Sequence, residues 1–269
     1  MHEEEQSTLI RLQRPDPKIV VTMSAYALGR ELGLEGAMAE LDRQVEEEPS
    51  NALPGIITVC RLRSICGNLS RRFDTGGTAI GKTRSRHFFE AYTSKADIWI
   101  SVDDDVEVET ESLMYLIAAV NDQEPRIVLL PCLLRQSTSE KPIVNVRFSS
   151  VLVMRNVGRA RLVHCLGGGF GCVAMNRAAM LEIAKMAEET KPSLWYVDHD
   201  GVERLGLFCE MIKADVDGVP RWWGEDLAFF HRVPLHKVNV EALLIGATCH
   251  AGLALYLDRI AVDGSYSLG

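Results

Sequence analysis

Ala96-Asp-Ile-Trp-Ile-Ser-Val-Asp-Asp-Asp105 is an apolar segment that runs without a break into three aspartates. Residues 96–102 have the length and composition of a buried strand. In open α/β sheets, ligands bind beyond the carboxyl ends of the strands. Carboxylates gathered there, with no adjacent run of bases, repel one another unless a cation sits among them. Hard divalent ions such as Mg²⁺ or Mn²⁺ take oxygen ligands and commonly bridge a carboxylate to a substrate diphosphate. If the extended backbone continues, Asp103 and Asp105 point one way and Asp104 the other. The competing reading is a polar turn between the strand and the next helix, because short acidic runs are common by chance.

The flanking sequence puts this strand in an alternating pattern. Lys18–Ser24 reads as a first central strand, and residues 27–48 carry Ala, Leu and Glu at helical spacing before Pro49. Gly55-Ile-Ile-Thr-Val-Cys60 reads as a second strand, and the loop Asp74-Thr-Gly-Gly-Thr78 precedes a helix over 81–93. Downstream come a helix over 111–120, a strand over 126–130, shorter extended segments over 142–175 and a helix over 177–189. Residues 191–218 look irregular and are expected to lie over a site. Trp222-Trp223-Gly224-Glu225-Asp226 opens another helix, and 238–248 reads as a last strand before Cys249-His250. This alternation predicts an α/β fold with a mixed, mostly parallel central sheet flanked by helices. Without a linker, repeat or low-complexity tract, one domain is expected over 17–257. A flexible arm at 1–16 and a tail at 258–269 flank it.

Of the 269 residues, 47% are hydrophobic, enough for one large core. The net charge of −8 argues against indiscriminate binding to polyanions. Bases nevertheless cluster between Arg61 and Arg86, opposed by Asp74 alone, and between Arg126 and Arg161, opposed by Glu140 alone. These are either solvated surfaces or contacts for an anionic ligand. The seven cysteines are odd in number, form no Cys-x-x-Cys pair and lie mostly in apolar stretches. They read as buried reduced thiols, not as disulfides or a zinc site. Met-His-Glu-Glu-Glu-Gln is the wrong chemistry for a signal peptide, and no apolar run reaches membrane-spanning length, so a cytoplasmic location is expected.

Four segments occur in a telling order: Ile100–Asp105, Gly167-Gly-Gly-Phe-Gly-Cys-Val-Ala-Met-Asn-Arg177, Gly224-Glu-Asp-Leu-Ala-Phe-Phe-His-Arg232 and Thr248-Cys-His250. Across residues 56–252 they resemble the GT-A glycosyltransferases, with their Asp-x-Asp motif, Gly-rich acceptor-side segment, Gly-Glu-Asp helix start and late metal-binding histidine. The resemblance implies a single nucleotide-diphospho-sugar transferase domain. Its reaction would be transfer of a sugar from a nucleotide-diphosphate donor, a UDP-sugar being favoured, to an acceptor hydroxyl, with Mn²⁺ or Mg²⁺. It implies that Asp105, Asp103 and His250 share the metal and that Asp103 and Asp104 approach the donor. Arg84 would lie near the diphosphate, with Lys82 and Arg86 as rivals on the same helix. Gly168 and Gly169 would floor the donor or acceptor, Asp226 would be the base of an inverting reaction, and Glu225 would hold the acceptor or brace a loop.

The chemistry asks for these residue types. Negative charge grows on the departing diphosphate, and a cation with an arginine offsets it. An attacking hydroxyl loses its proton to a carboxylate. Against this, Glu225 and Asp226 could simply favour a helix N-terminus, and His250 alone could be a core histidine. Retaining relatives carry a similar Glu-Asp pair, so the stereochemical outcome stays open. Gly167–Gly171 lacks the Gly-Lys-Ser/Thr of a phosphate loop, but glycines do permit close backbone approach. Trp222 and Trp223 could stack on a sugar or close the core, although adjacent residues of an extended segment face opposite ways. Rival functions are a nucleotidyltransferase, whose usual basic Gly-rich signature is missing from 18–30, and an inactive sugar- or nucleotide-binding module. A glycosyltransferase gripping nucleic acid and acting on hydroxymethylated bases is a third. The acceptor, whether saccharide, small metabolite or nucleic acid, is open.

Overall fold

The structure is a computed structural model describing residues 16–24, 39–40, 42–47, 52–74, 80–133, 144–149, 153–190, 194–197, 201–214, 218–250 and 253–257. The β-branched run of the first strand forms β1 (Ile19–Ser24) as expected. Residues 42–47 are helical, while the remainder of the helix expected over 27–48 lies largely outside the described residues, as do the arm at 1–15 and the tail at 258–269. The strand expected over 55–60 is instead a helix, α1 (Pro54–Ile65). Pro54 supplies a pre-set φ in its first turn, and Ile56, Val59 and Leu62 are buried at three-residue spacing, a helical face that the apolar run conceals. The true second strand is β2 (Leu69–Asp74). It pairs parallel to β1 at the sheet edge, with Ser70 and Arg72 exposed, so its sequence carries little apolar signal.

The next elements follow expectation: α2 (Ile80–Thr93), β3 (Ile98–Asp103), a short β4 (Val106–Val108), α3 (Thr110–Val120) and β5 (Arg126–Leu129). Four extended segments come next: β6 (Val146–Phe148), β7 (Met154–Val157), β8 (Ala160–Gly168) and β9 (Cys172–Asn176). The helix α4 (Arg177–Glu189) is capped by the Asn176 side chain, which accepts from the Ala179 N–H. The stretch expected to be irregular contains strands. β10 (Trp195–Val197) pairs with β11 (Glu203–Leu205), and β12 (Met211–Ala214) pairs with β13 (Pro220–Trp223), both antiparallel. Trp222 and Trp223 therefore belong to a strand, and the helix α5 (Glu225–Arg232) begins after them. The last expected strand is two, β14 (Asn239–Leu244) and β15 (Ala247–His250), divided at Gly246 with φ +70°; β16 (Leu253–Tyr256) follows.

The main sheet has the order β2-β1-β3-β9-β5-β14-β8-β6, with β7 also on β8. β1, β2, β3, β5 and β14 share one direction, while β9 and β8 run against them, so the sheet is mixed. Alternation along each strand fills two layers. Ile19, Val21, Met23, Ile98, Ile100 and Val102 pack with α1 and α3, and Val20 and Trp99 pack with α2, α4 and α5. Registers Ser24↔Asp74 and Ser24↔Asp103 bring the carboxyl ends of three parallel strands level at one rim. Among the described residues no helix is long and apolar enough to cross a membrane.

Candidate active site

The aspartate turn is fixed by its own backbone. The Asp103 N–H donates to the Gly171 carbonyl at 2.9 Å, and the Gly55 N–H donates to the Asp104 carbonyl at 3.0 Å. The first turn of α1 thus lies directly on the turn, and a Cβ at Gly55 would come 2.6 Å from the Asp103 carbonyl oxygen. Glycine is required there by this close approach.

Beyond the turn, β4 pairs antiparallel with β15 in the register His250↔Val106. That pairing sets His250 beside Asp105, Nε2 to Oδ2 3.3 Å. His250 Nδ1 is 2.6 Å from the Leu133 carbonyl oxygen. A carbonyl can only accept, so Nδ1 carries the proton and Nε2 is the atom turned toward Asp105. A second proton, or a metal ion shared by both atoms, would reconcile that nitrogen with the carboxylate. A backbone carbonyl on the distal ring nitrogen is the usual support of a metal-ligating histidine.

On the other side of the turn, Arg84 points inward from α2, its side chain 3% exposed. Nη2 donates to both oxygens of Asp103, at 2.8 and 2.9 Å. Nη1 donates to Glu225 Oε1 at 3.0 Å and to Asp226 Oδ1. The guanidinium carbon lies 5.4 Å from the centre of the Phe170 ring. Burial works against the Arg84 charge, but Asp103, Asp226 and Glu225 overcome it and hold its proton more firmly than usual. Asp226 Oδ2 accepts the Phe170 N–H at 3.1 Å. Burial pushes the Asp226 carboxyl up to about 6; Arg84 pulls it down, and Glu225 and Asp103 push it further up.

The sequence-predicted residues therefore fall into two adjoining groups: Asp103, Arg84, Glu225 and Asp226 in one, Asp105 and His250 in the other. The three-ligand metal set of Asp103, Asp105 and His250 is only partly assembled, because Asp103 commits both oxygens to Arg84. Among the described residues no three His, Cys, Asp or Glu side chains form a group that could hold a metal ion by themselves. Asp105 and His250, 3.3 Å apart, could together supply two ligands to an ion.

Gly168 and Gly169, expected to floor the donor or acceptor, lie close against Asn145. A Cβ would stand 2.7 Å from the Asn145 carbonyl oxygen at Gly168 and 2.6 Å from Asn145 Nδ2 at Gly169. Protein fills the space on that side of both glycines. Trp222 is exposed, while Trp223 packs edge-on to His231 with ring centroids 5.5 Å apart. Phe170 and Leu133 are contributors that residue type does not reveal, because their hydrogen bonds to Asp226 and His250 come from the main chain.

Among the described residues, several bases of the two stretches are engaged with acids. Arg61 meets Glu107 and Arg71 meets Glu46, both at 2.7 Å, and Arg155 meets Glu241 at 2.7 Å. All seven cysteines are free; Cys132, Cys165 and Cys172 are buried as expected, whereas Cys209 is exposed. Burial, with Asp103 and Asp105 nearby, pushes the Cys132 thiol up to about 12, so it stays protonated behind the turn.

No family model matches this chain, and no curated protein matches it. Several solved structures align with it, among them the following two. One is A197 from STIV, 15% identical over 90% of this chain and 91% of that one, with a TM-score of 0.44. The other is the mannose-1-phosphate geranyltransferase from Thermus thermophilus, 14% identical over 64% of this chain and 61% of that one, with a TM-score of 0.34. Likenesses at this level assign neither family nor activity, and the side chains at the rim of the sheet have to speak for themselves.

Proposed function

We propose that this chain is a metal-dependent glycosyltransferase with a GT-A fold, moving a sugar from a nucleotide-diphosphate donor to an acceptor hydroxyl. One observation carries the reading: residues more than 140 positions apart meet at one sheet rim. Asp103 and Asp226 share the Arg84 guanidinium, and two residues beyond Asp103 the Asp105 carboxylate faces His250.

In this reading Asp105 and His250 would be the residues that hold Mn²⁺ or Mg²⁺. A bound cation there offsets the negative charge that develops on the departing diphosphate. Asp226 takes the proton of the acceptor hydroxyl as that oxygen forms its bond to the anomeric carbon and the bond to the diphosphate breaks. A carboxyl titrating at about 6 is still mostly ionised at neutral pH and is a stronger base than an ordinary aspartate. Arg84 on Oδ1 and the Phe170 N–H on Oδ2 hold the carboxylate in one orientation. Glu225 shares Arg84 Nη1 with Asp226 and raises the basicity of its neighbour. Attack from the side of Asp226 opposite the leaving group gives inversion. The pairing of Arg61, Arg71, Arg126 and Arg155 with carboxylates weighs against a nucleic-acid acceptor.

The test is UDP release from individual UDP-sugars with and without Mn²⁺. Mn²⁺-dependent release that disappears in Asp105→Ala is expected, and calorimetry should show the same loss of Mn²⁺-dependent UDP binding. Binding indifferent to both Mn²⁺ and Asp105→Ala would overturn the metal assignment. Pyrophosphate formed from a nucleoside triphosphate and a sugar phosphate would identify nucleotidyl transfer instead.

A further inference from the structure

Arg84 occupies the place where an arginine is expected to meet a diphosphate, yet its fork is already taken. Nη2 is held by both oxygens of Asp103, and Nη1 by Glu225 and Asp226. Its Nε is buried with no hydrogen-bond partner among the described residues, and the Phe170 ring lies against the guanidinium. A phosphate could reach this group only by displacing carboxylates from a cation that burial makes them hold tightly. The carboxylates themselves come from elements that do not pair with one another. Asp103 ends β3 in the sheet, whereas Glu225 and Asp226 open α5 in the layer above it.

We propose that Arg84 is a positioning residue that locks the end of β3 to the start of α5, and that it is not a ligand of the diphosphate. The inference rests on the reading of Asp226 as the base and of the aspartate turn as the donor side. Three carboxylates crowded around one point would spread apart, and a single planar cation between them fixes their separation. The fork matters as well as the charge, because a guanidinium can hold Asp103 with one nitrogen and the α5 pair with the other. A lysine ammonium keeps the charge but cannot span both. A Cβ at Gly81, one turn before Arg84, would come 3.2 Å from the Glu225 Cβ, so α2 and α5 also approach closely behind the clamp.

Arg84→Lys separates the two roles. The clamp predicts that UDP affinity measured by calorimetry with Mn²⁺ stays within about threefold of the parent, and that KM for the donor follows it. kcat should fall about 100-fold, as expected when a base is misplaced without being removed. Loss of about 30-fold or more in UDP affinity, with kcat preserved, would overturn the proposal and return Arg84 to the diphosphate. A urea-unfolding cycle gives a readout that needs no activity. Arg84→Lys and Asp226→Asn should each move the midpoint, and the double variant should fall no lower than the poorer single, because both remove the same contact. Additive midpoints overturn the clamp. Should Arg84→Lys not fold, Asp103→Asn combined with Asp226→Asn repeats the cycle from the two ends of the guanidinium, with additivity again the overturning result. If the parent protein neither binds UDP nor releases it from any donor, the glycosyltransferase reading fails, and the urea cycle alone decides whether Arg84 joins β3 to α5.

Discussion

Arg84 and Arg126 lie at opposite rims of the same sheet and meet carboxylates in different proportions. Arg126, at the start of β5, donates to Asp122 at 2.7 Å, to Glu241 at 3.2 Å and to the exposed Glu124. Arg155 adds a second guanidinium on Glu241, at 2.7 and 2.8 Å. Two buried or half-buried cations thus balance the buried Glu241 and the half-buried Asp122. At the other rim one cation faces three carboxylates, Asp103, Glu225 and Asp226. The acids report the difference. Burial works to raise Asp122, but Arg126 and the Gln123 and Glu124 N–H groups outweigh it and hold the carboxyl below its ordinary range. Asp226 is pushed up to about 6 by burial, with Glu225 and Asp103 adding to it and Arg84 unable to cancel them. A balanced network stabilises a fold. An unbalanced one waits for a proton or a cation, which is what a site needs.

Substitutions at the two ends should therefore fail in opposite ways. Arg126→Met leaves Glu241 and Asp122 under-compensated at the bottom of the sheet and should cost about 3–5 kcal/mol of stability in urea unfolding. Turnover per folded molecule should stay unchanged. Asp226→Asn gives up one contact with Arg84 but also removes surplus negative charge, so it should cost only about 1 kcal/mol of stability, while turnover should drop about 10²–10⁴-fold as the base is lost. Equal losses of stability from both variants, or an active Asp226→Asn, would erase the distinction between the rims.

pH separates them further. In the folded protein Asp226 binds its proton more tightly than in the unfolded chain. Its contribution to stability is therefore fully present below the ordinary aspartate value of about 4 and is lost as pH rises through about 6. Asp122 runs the other way: its contribution is present above the ordinary value and is lost as pH falls through its depressed one. Activity should show an acid limb in kcat/KM centred near 6, falling about tenfold per pH unit below it. A profile flat from pH 5 to 8 would remove Asp226 from the chemistry.

Much of this arrangement can be read from residue order, and the failures have physical causes. β1, β3 and β5 are short apolar runs ending in breakers or charge, and α2, α3 and α4 have helical spacing, so periodicity alone finds them. α1 escapes because Ile56-Ile57-Thr58-Val59 is β-branched throughout; only Pro54 and the burial of positions 56, 59 and 62 on one face reveal a helix. β2 escapes because an edge strand buries few of its side chains, and Arg71-Arg72 hides even that. At the site, Asp103, Asp105, Glu225, Asp226 and His250 declare themselves by type and position. Arg84 can be nominated in the same way, but not its partners: a guanidinium serves carboxylate or phosphate equally well, and only the fold brings residue 225 to residue 84. The packing of Gly168 and Gly169 on Asn145 follows from the β6–β8 register, which no local pattern encodes.

The smallest expected effect is the sharpest test of the charge imbalance. Glu225 shares Arg84 Nη1 with Asp226, and its negative charge is one of the influences raising the Asp226 carboxyl. Glu225→Gln keeps shape and a hydrogen-bonding oxygen while removing that charge, so Arg84 is then opposed by two carboxylates instead of three. The Asp226 proton should leave more readily, and the acid limb should move to lower pH by about half a unit to one unit. The direction matters more than the size. If Glu225 serves only to grip the acceptor, its neutral form should raise the acceptor KM and leave the limb in place. If it governs the charge around the base, the limb shifts whether or not KM changes. A shift to higher pH would mean that Glu225 and Arg84 act on Asp226 mainly through geometry, and the excess of negative charge at this rim would lose its explanatory role.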